Sequence, residues 1–199
     1  PHECSSAASD VYKRQNITEA AKYYQYFINQ GFEDYGVFSN YGVILRGLGK
    51  LKEAEFCYRK AIKINPDFYK AHFNLGNVMK DLGKLKEAEF CYLKAIEINS
   101  SFADAYTNLG NVLRDLGNLY QAEIAFRKAI KINPNFAMFH SNLGGILKDL
   151  GKLKEAESSC LKAIEINPDY ARAYFSISNL KYSNKNKKWK KNVFSESIL

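Results

Sequence analysis

Four asparagines at steps of 34 residues, Asn40, Asn74, Asn108 and Asn142, are the polar residues of this 199-residue chain whose type and spacing best suit a chemical task. A primary amide offers two N–H donors and one carbonyl acceptor. A row of such amides can bracket the backbone of an extended peptide without reading its side chains. Asparagine is a middling helix former, so helix propensity does not account for its return at every period. The slot three residues on holds Val43, Asn77, Asn111 and Gly145. The other reactive residue types assemble into no catalytic or ligand set. His72 and His140 stand two periods apart, too far for a metal pair on one helix face, and read as packing residues; His2 lies near the chain start. Cys4, Cys57, Cys91 and Cys160 contain no Cys-x-x-Cys pair. Cys57 and Cys91 share one repeat slot and read as small, half-buried packing residues whose reduced thiols fit a cytosolic setting. Glu53, Glu55, Glu87 and Glu89 recur in phase beside lysines, the pattern of exposed helical ion pairs rather than of a paired acid and base. No enzymatic activity, cofactor or metal is expected.

The elements that must position the asparagines repeat with them. Gly42, Gly76, Gly110 and Gly144 keep the 34-residue step, as do Gly49, Gly83, Gly117 and Gly151. So do Ala54, Ala88, Ala122 and Ala156, and Ala61, Ala95, Ala129 and Ala163. A fixed period of this length means stacked copies of one supersecondary unit, each too small to bury its apolar face alone. One unit runs from Tyr69 to Phe102. Ala71, Leu75, Gly76, Met79 and Leu82 fall at helical spacing, and Leu85, Ala88, Tyr92, Ala95 and Ile96 do so again. Between them Asp81-Leu82-Gly83-Lys84 is a turn signal, with a glycine suited to a helix end. Pro66, Pro134 and Pro168 disfavour helix at the residue before each. The unit is therefore helix, tight turn, helix, short break. Gly76 and Ala88 are expected where the two helices cross, and Tyr92, or Phe126 in the next copy, is expected to fill space between units.

Composition is that of an ordinary globular protein, 46% apolar and 25% charged. No stretch has the roughly 18–20 apolar residues of a membrane helix and no signal-peptide pattern is visible, so a cytoplasmic location is expected. The net charge of +8 is uneven: residues 171–199 carry +6, from Arg172 and six lysines against Glu196, and residues 1–34 carry −2. The run Lys185 to Lys191, with Trp189 inside it, is read as a solvated linker rather than as a nucleic-acid or anionic-membrane contact.

Leu75-Gly76, Ala88, Tyr92, Ala95 and the proline slot resemble the tetratricopeptide repeat family. Four full copies fall at 35–68, 69–102, 103–136 and 137–170. The family's first aromatic is replaced by Phe38, His72, Tyr106 and His140, and its first-helix tyrosine by Leu45, Met79, Leu113 and Leu147. The resemblance implies an all-α, right-handed solenoid of stacked helix-turn-helix units whose first helices line a concave groove. It places Asn40, Asn74, Asn77, Asn108, Asn111 and Asn142 in that groove, with Arg46, Lys80, Arg114 and Lys148. The ladder is similar to one in the repeat region of O-linked N-acetylglucosamine transferases, where asparagines hold peptide backbone; the alternative is that these amides bond neighbouring helices. The carboxylate clamp of chaperone-binding members would need basic residues where Ser39, Phe73, Thr107 and Ser141, or Val43 and Gly145, stand. The function implied is a protein- or peptide-binding scaffold with a ligand in the groove and no nucleic acid. The units also resemble bacterial, particularly cyanobacterial, arrays that are joined to catalytic domains, so the alternative is a substrate-recruiting arm of a larger glycosyltransferase or sulfotransferase.

The ends depart from the period. Residues 1–15 are read as a disordered, non-native leader, and residues 16–34 as a half repeat with a second helix only, at 17–30. Residues 171–182 are read as a capping helix, and 183–199 as a basic tail leading to a missing domain, with Val193, Phe194, Ile198 and Leu199 left apolar.

Overall fold

The computed structural model describes the backbone of residues 2–31 and 33–180, and the side chains of 16–31 and 33–180. The expected basic tail at 183–199 lies outside the described residues, as do the last two residues of the expected cap. The elements in order are α1 (His2–Asn29), α2 (Tyr35–Gly47), α3 (Leu51–Ile64), α4 (Tyr69–Asp81), α5 (Leu85–Ile98), α6 (Ala103–Asp115), α7 (Leu119–Ile132), α8 (Ala137–Asp149), α9 (Leu153–Ile166) and α10 (Ala171–Ser178). No strand occurs among the described residues. The fold class is all-α, a solenoid of stacked helix pairs, and it is built as two compact units that part between Leu116 and Gly117. The first unit holds α1 to α6 and the second α7 to α10, so the 103–136 repeat gives one helix to each.

Two expectations at the ends are corrected. Residues 2–15, read as disordered, are the first half of α1. Their sequence lacks an apolar period, but a helix once nucleated propagates through residues such as Ala7 and Ala8 without one. The capping helix is shorter than expected, Ala171–Ser178. Leu180, just beyond it, is buried.

The first helices α2, α4, α6 and α8 each end on the expected glycine. Gly83 has φ +74°, in the left-handed region. Its N–H donates to the Lys80 carbonyl at 2.9 Å, and the Lys84 N–H donates to the Met79 carbonyl at 2.8 Å. These are the two bonds of a Schellman cap, and they recur at Gly49 and Gly151. Second helices end on Asn65, Asn99 and Asn167, whose Oδ1 accepts the N–H two residues on. That side-chain turn explains why the break at residue 100 survives with serine in the proline slot.

In the first unit the helices of a pair approach closely at a glycine. A Cβ on Gly76 would lie 2.7 Å from the Tyr92 ring, and one on Gly42 would lie 2.8 Å from the Tyr58 ring. Ala88 is fully buried, as expected for a small residue at the crossing, and so are Ala54, Ala61 and Ala95. Tyr92 thus packs its ring on Gly76 of its own helix pair, while its hydroxyl meets, at Asn77, the joint with the next unit. In the second unit Cys160 occupies the ring's slot, and a Cβ on Gly144 would strike its Sγ.

First helices also touch each other: α2 packs on α4, α4 on α6, and, in the second unit, α8 on α10. The second helices α3 and α5 have no comparable contact. Within each unit the first helices therefore form the tighter face.

The second unit carries an ion cluster in place of some apolar packing. Glu123, with a side chain only 10% exposed, accepts from Lys152 at 2.7 Å and from Arg127 at 2.9 Å; Arg127 also reaches Glu155 at 2.9 Å. Burial pushes the Glu123 carboxyl up, but hydrogen bonds from Lys152 and Arg127 outweigh it and hold the group below its ordinary 4.5.

Two outcomes follow from this packing. Gly76→Ala is expected to cost roughly 1–3 kcal/mol, because the new methyl meets a buried ring. Gly145→Ala, where no atom lies within 4 Å of the new Cβ, is expected to be neutral or to stabilise by up to about 1 kcal/mol; urea midpoints distinguish the two, and equal effects would remove the ring from the account. For Glu123 the folded pKa lies below the unfolded one. Its contribution is full above about 4.5 and is lost as pH falls through the folded value. Melting temperature against pH should therefore fall less steeply on the acid side for Glu123→Gln than for the wild type.

Candidate functional site

The expected groove residues do not share one environment. Asn40 on α2 is exposed, Asn74 on α4 and Asn108 on α6 are half-buried, and Asn142 on α8 is buried. The sequence reading gave all four the same open position. Neither Asn40 nor Asn74 has a hydrogen-bond partner among the described residues, so each amide retains its full capacity. Asn142 is only 4% exposed and its Oδ1 has no partner, and Ser141 Oγ beside it is likewise buried and unpaired.

Asn77 departs furthest from expectation. It is buried at 6% exposure, and its Oδ1 accepts from the Tyr92 hydroxyl and from Asn108 Nδ2, each at 2.8 Å. Asn77 and Tyr92 belong to one helix pair and Asn108 to the next first helix. The amide at this slot therefore ties adjacent repeats together, which is the alternative left open by the sequence. Burial is the largest influence on the Tyr92 hydroxyl and drives its pKa up, so it stays protonated and donates. The equivalent slot is Val43 one repeat earlier and Gly145 in the second unit, so the same bond cannot form there. Asn111 on α6 is half-buried. The tie was partly visible in the sequence: Tyr92 and Asn77 coexist in just one of the four copies.

The groove cations also differ. Arg46 pairs with Asp81 of the next first helix at 2.7 Å, whereas the sequence grouped Asp81 with its neighbour Lys80. Lys80 is half-buried with no ion pair among the described residues. Arg114 approaches the adjacent Asp115 at 3.9 Å, and Lys148 is exposed on α8. Three of the slots a carboxylate clamp would need, Ser39, Thr107 and Ser141, are each at most 4% exposed, while Phe73 is half-buried and Val43 is exposed.

The remaining candidate reactive groups are occupied by packing. His72 Nε2 lies 2.9 Å from the Pro66 carbonyl and His140 Nε2 lies 2.8 Å from the Pro134 carbonyl. A carbonyl only accepts, so Nε2 carries the hydrogen in both. Cys57, Cys91 and Cys160 are free and buried, the first two more deeply than the half-buried reading. Burial raises each thiol to about 11, which keeps it protonated and unreactive at neutral pH. Among the described residues no three His, Cys, Asp or Glu side chains gather as a metal site would require. No described helix is long and apolar enough to cross a membrane.

The asparagines can be separated by stability. Tyr92→Phe and Asn108→Ala each remove one donor from Asn77 and are expected to cost about 1 kcal/mol. Asn74→Ala should change stability by less than about 0.5 kcal/mol. Thermal melts of the three variants check this, and a drop at Asn74 equal to that at Asn108 would contradict the division.

Comparison with known proteins agrees with this geometry. A family model described as Tetratricopeptide repeat matches residues 103–136 and 137–170, and one described as TPR repeat matches 42–83 and 76–117. No curated protein matches the chain. Among solved structures, MamA is 22% identical with a TM-score of 0.74, over 81% of this chain and 94% of that one. YrrB, described as a TPR protein with an unusual peptide-binding site, is 25% identical with a TM-score of 0.69, over 86% of each chain. PilF of Pseudomonas aeruginosa is 22% identical with a TM-score of 0.68, over 73% of this chain and 67% of that one. With its 34-residue helix pairs, its glycine caps and these matches running from residue 42 to residue 170, the chain belongs to the tetratricopeptide repeat family.

Proposed function

We propose that this protein is a non-catalytic scaffold that holds an extended peptide along the first-helix face of its repeats. The observation that carries the reading is the pair of unengaged amides Asn40 and Asn74, on adjoining first helices of the first unit. Lys80, without an ion pair among the described residues, stands on the same helix as Asn74. An amide donates and accepts at once, so two of them one repeat apart match the alternating N–H and C=O groups of an extended backbone. The likeness to YrrB, with its peptide-binding site, supports the class of ligand. Asn108 and Asn77 act in this reading as the brace that keeps the amide-bearing helices in place, and Asn142 is not counted as a contact.

The test is a peptide selected on the intact protein from a random phage library. Its affinity is then measured for the wild type and for Asn40→Ala combined with Asn74→Ala. A fall of tenfold or more with an unchanged melting temperature is expected. Unaltered affinity would remove the asparagines from the site.

A further inference from the structure

Between α4 and α6 the joint needs three groups: Asn77 Oδ1 accepts from the Tyr92 hydroxyl and from Asn108 Nδ2, each at 2.8 Å. One repeat earlier both donors are present, and no side chain supplies the acceptor. Tyr58, Asn74 and Val43 stand 34 residues before Tyr92, Asn108 and Asn77. The helices that carry them pack alike: α2 pairs with α3 and touches α4, as α4 pairs with α5 and touches α6.

The Tyr58 ring directs its hydroxyl to this point. A Cβ on Gly42 would lie 2.8 Å from Tyr58 Cζ, the ring carbon that bears the hydroxyl, and Val43 is the next residue along α2. Burial is the largest influence on the hydroxyl and drives its pKa well up, so it stays protonated and donates. It has no hydrogen-bond partner among the described residues, and neither has Asn74. Tyr58 is only 1% exposed, yet its Oη is not sealed off as Ser141 Oγ and Asn142 Oδ1 are. Val43 beside it is 53% exposed. The arrangement does not follow from the period alone. The ring slot holds Phe126 and Cys160 in the later copies, neither with a hydroxyl, and Asn77 fills the position beside Tyr92.

The geometry points to a carbonyl-binding site between α2 and α4, in which the Tyr58 hydroxyl and Asn74 Nδ2 donate to one main-chain carbonyl of an extended peptide. The ligand oxygen takes the position that Asn77 Oδ1 takes one repeat on, and the exposed face of Val43 meets the flanking chain. A neutral acceptor suits the surroundings. Arg46, one turn beyond Val43, is held by Asp81 at 2.7 Å, and Lys80 stands six residues past Asn74, roughly 9 Å along the α4 axis. The site rests on the reading of Asn74 as a ligand contact and adds the donor that acts with it.

Two measurements on the intact protein test this. The first needs no peptide. Val43→Asn supplies the acceptor from within the chain, and the melting temperature should rise by about 2–4 °C, with a smaller rise in the Tyr58→Phe background. Tyr58→Phe alone should leave melting unchanged, in contrast to Tyr92→Phe. No rise from Val43→Asn, or a fall in Tyr58→Phe equal to that in Tyr92→Phe, would overturn the proposal. The second uses the phage-selected peptide. Tyr58→Phe and Val43→Asn should each weaken its binding by about five- to tenfold. Its carbonyls are then replaced one at a time by thioamides, whose sulfur is a poor acceptor. One position should matter in the wild type and not in Tyr58→Phe. Affinity lost in the Asn40→Ala, Asn74→Ala variant but kept in Tyr58→Phe would overturn this site and leave the scaffold reading standing; affinity kept in both would remove both. Sensitivity only to a side-chain carboxylate of the peptide would overturn the carbonyl assignment.

Discussion

The contact between a first-helix glycine and the ring of the same helix pair sets the geometry on which the rest of the first unit depends. At Gly76 and Gly42 the absence of a Cβ lets the Tyr92 and Tyr58 rings lie directly against the first helix. The fully buried alanines on the second helix then let the two axes close. Interiors are packed to crystalline density, so this spacing is not adjustable by small shifts elsewhere. It also delivers the Tyr92 hydroxyl to Asn77, and through Asn77 the pair is bonded to Asn108 of the next first helix. One close approach within a repeat thereby becomes a bond between repeats.

The two faces of the first unit acquire different chemistry from the same packing. Where first helices meet, their side chains are crowded and polar groups find one another, as Asn77 finds Asn108 and Arg46 finds Asp81. Those left over, Asn40 and Asn74, keep their hydrogen-bonding capacity. Where second helices separate, the gaps are lined by isoleucine, leucine, cysteine and phenylalanine, so that face offers apolar recesses. Amides suit a ligand backbone.

The repeats are not interchangeable, although the sequence period makes them look so. With Cys160 in the ring slot and Gly145 in the Asn77 slot, the α8–α9 pair of the second unit has neither the ring nor the amide tie. It has instead the Glu123 cluster with Arg127, Lys152 and Glu155, a set of charges spanning neighbouring second helices and the start of α9. A buried carboxylate with two donors holds position by direction and charge, and becomes sensitive to acid in a way the aromatic packing is not.

The helix-turn-helix period, the all-α class and the glycine caps were legible in the residues themselves, because each rests on a local rule. Only glycine takes φ near +75° at the ends of α2, α4, α6 and α8 without strain, and only small residues recur at a crossing. The extension of α1 through residues 2–15 was not legible, since a helix can propagate where no apolar period announces it. Nor was the sorting of the asparagines. Asn40, Asn74, Asn108 and Asn142 have one spacing and one residue type, yet only tertiary contacts decide which amide is buried, which is bonded and which is free. That outcome depends on partners 15 or 31 residues away, Tyr92 and Asn108 about Asn77, and such partners are set by how helices stack. The apolar recesses belong to the same class of fact. A cavity is space left between three helices, and no single stretch of sequence encodes it.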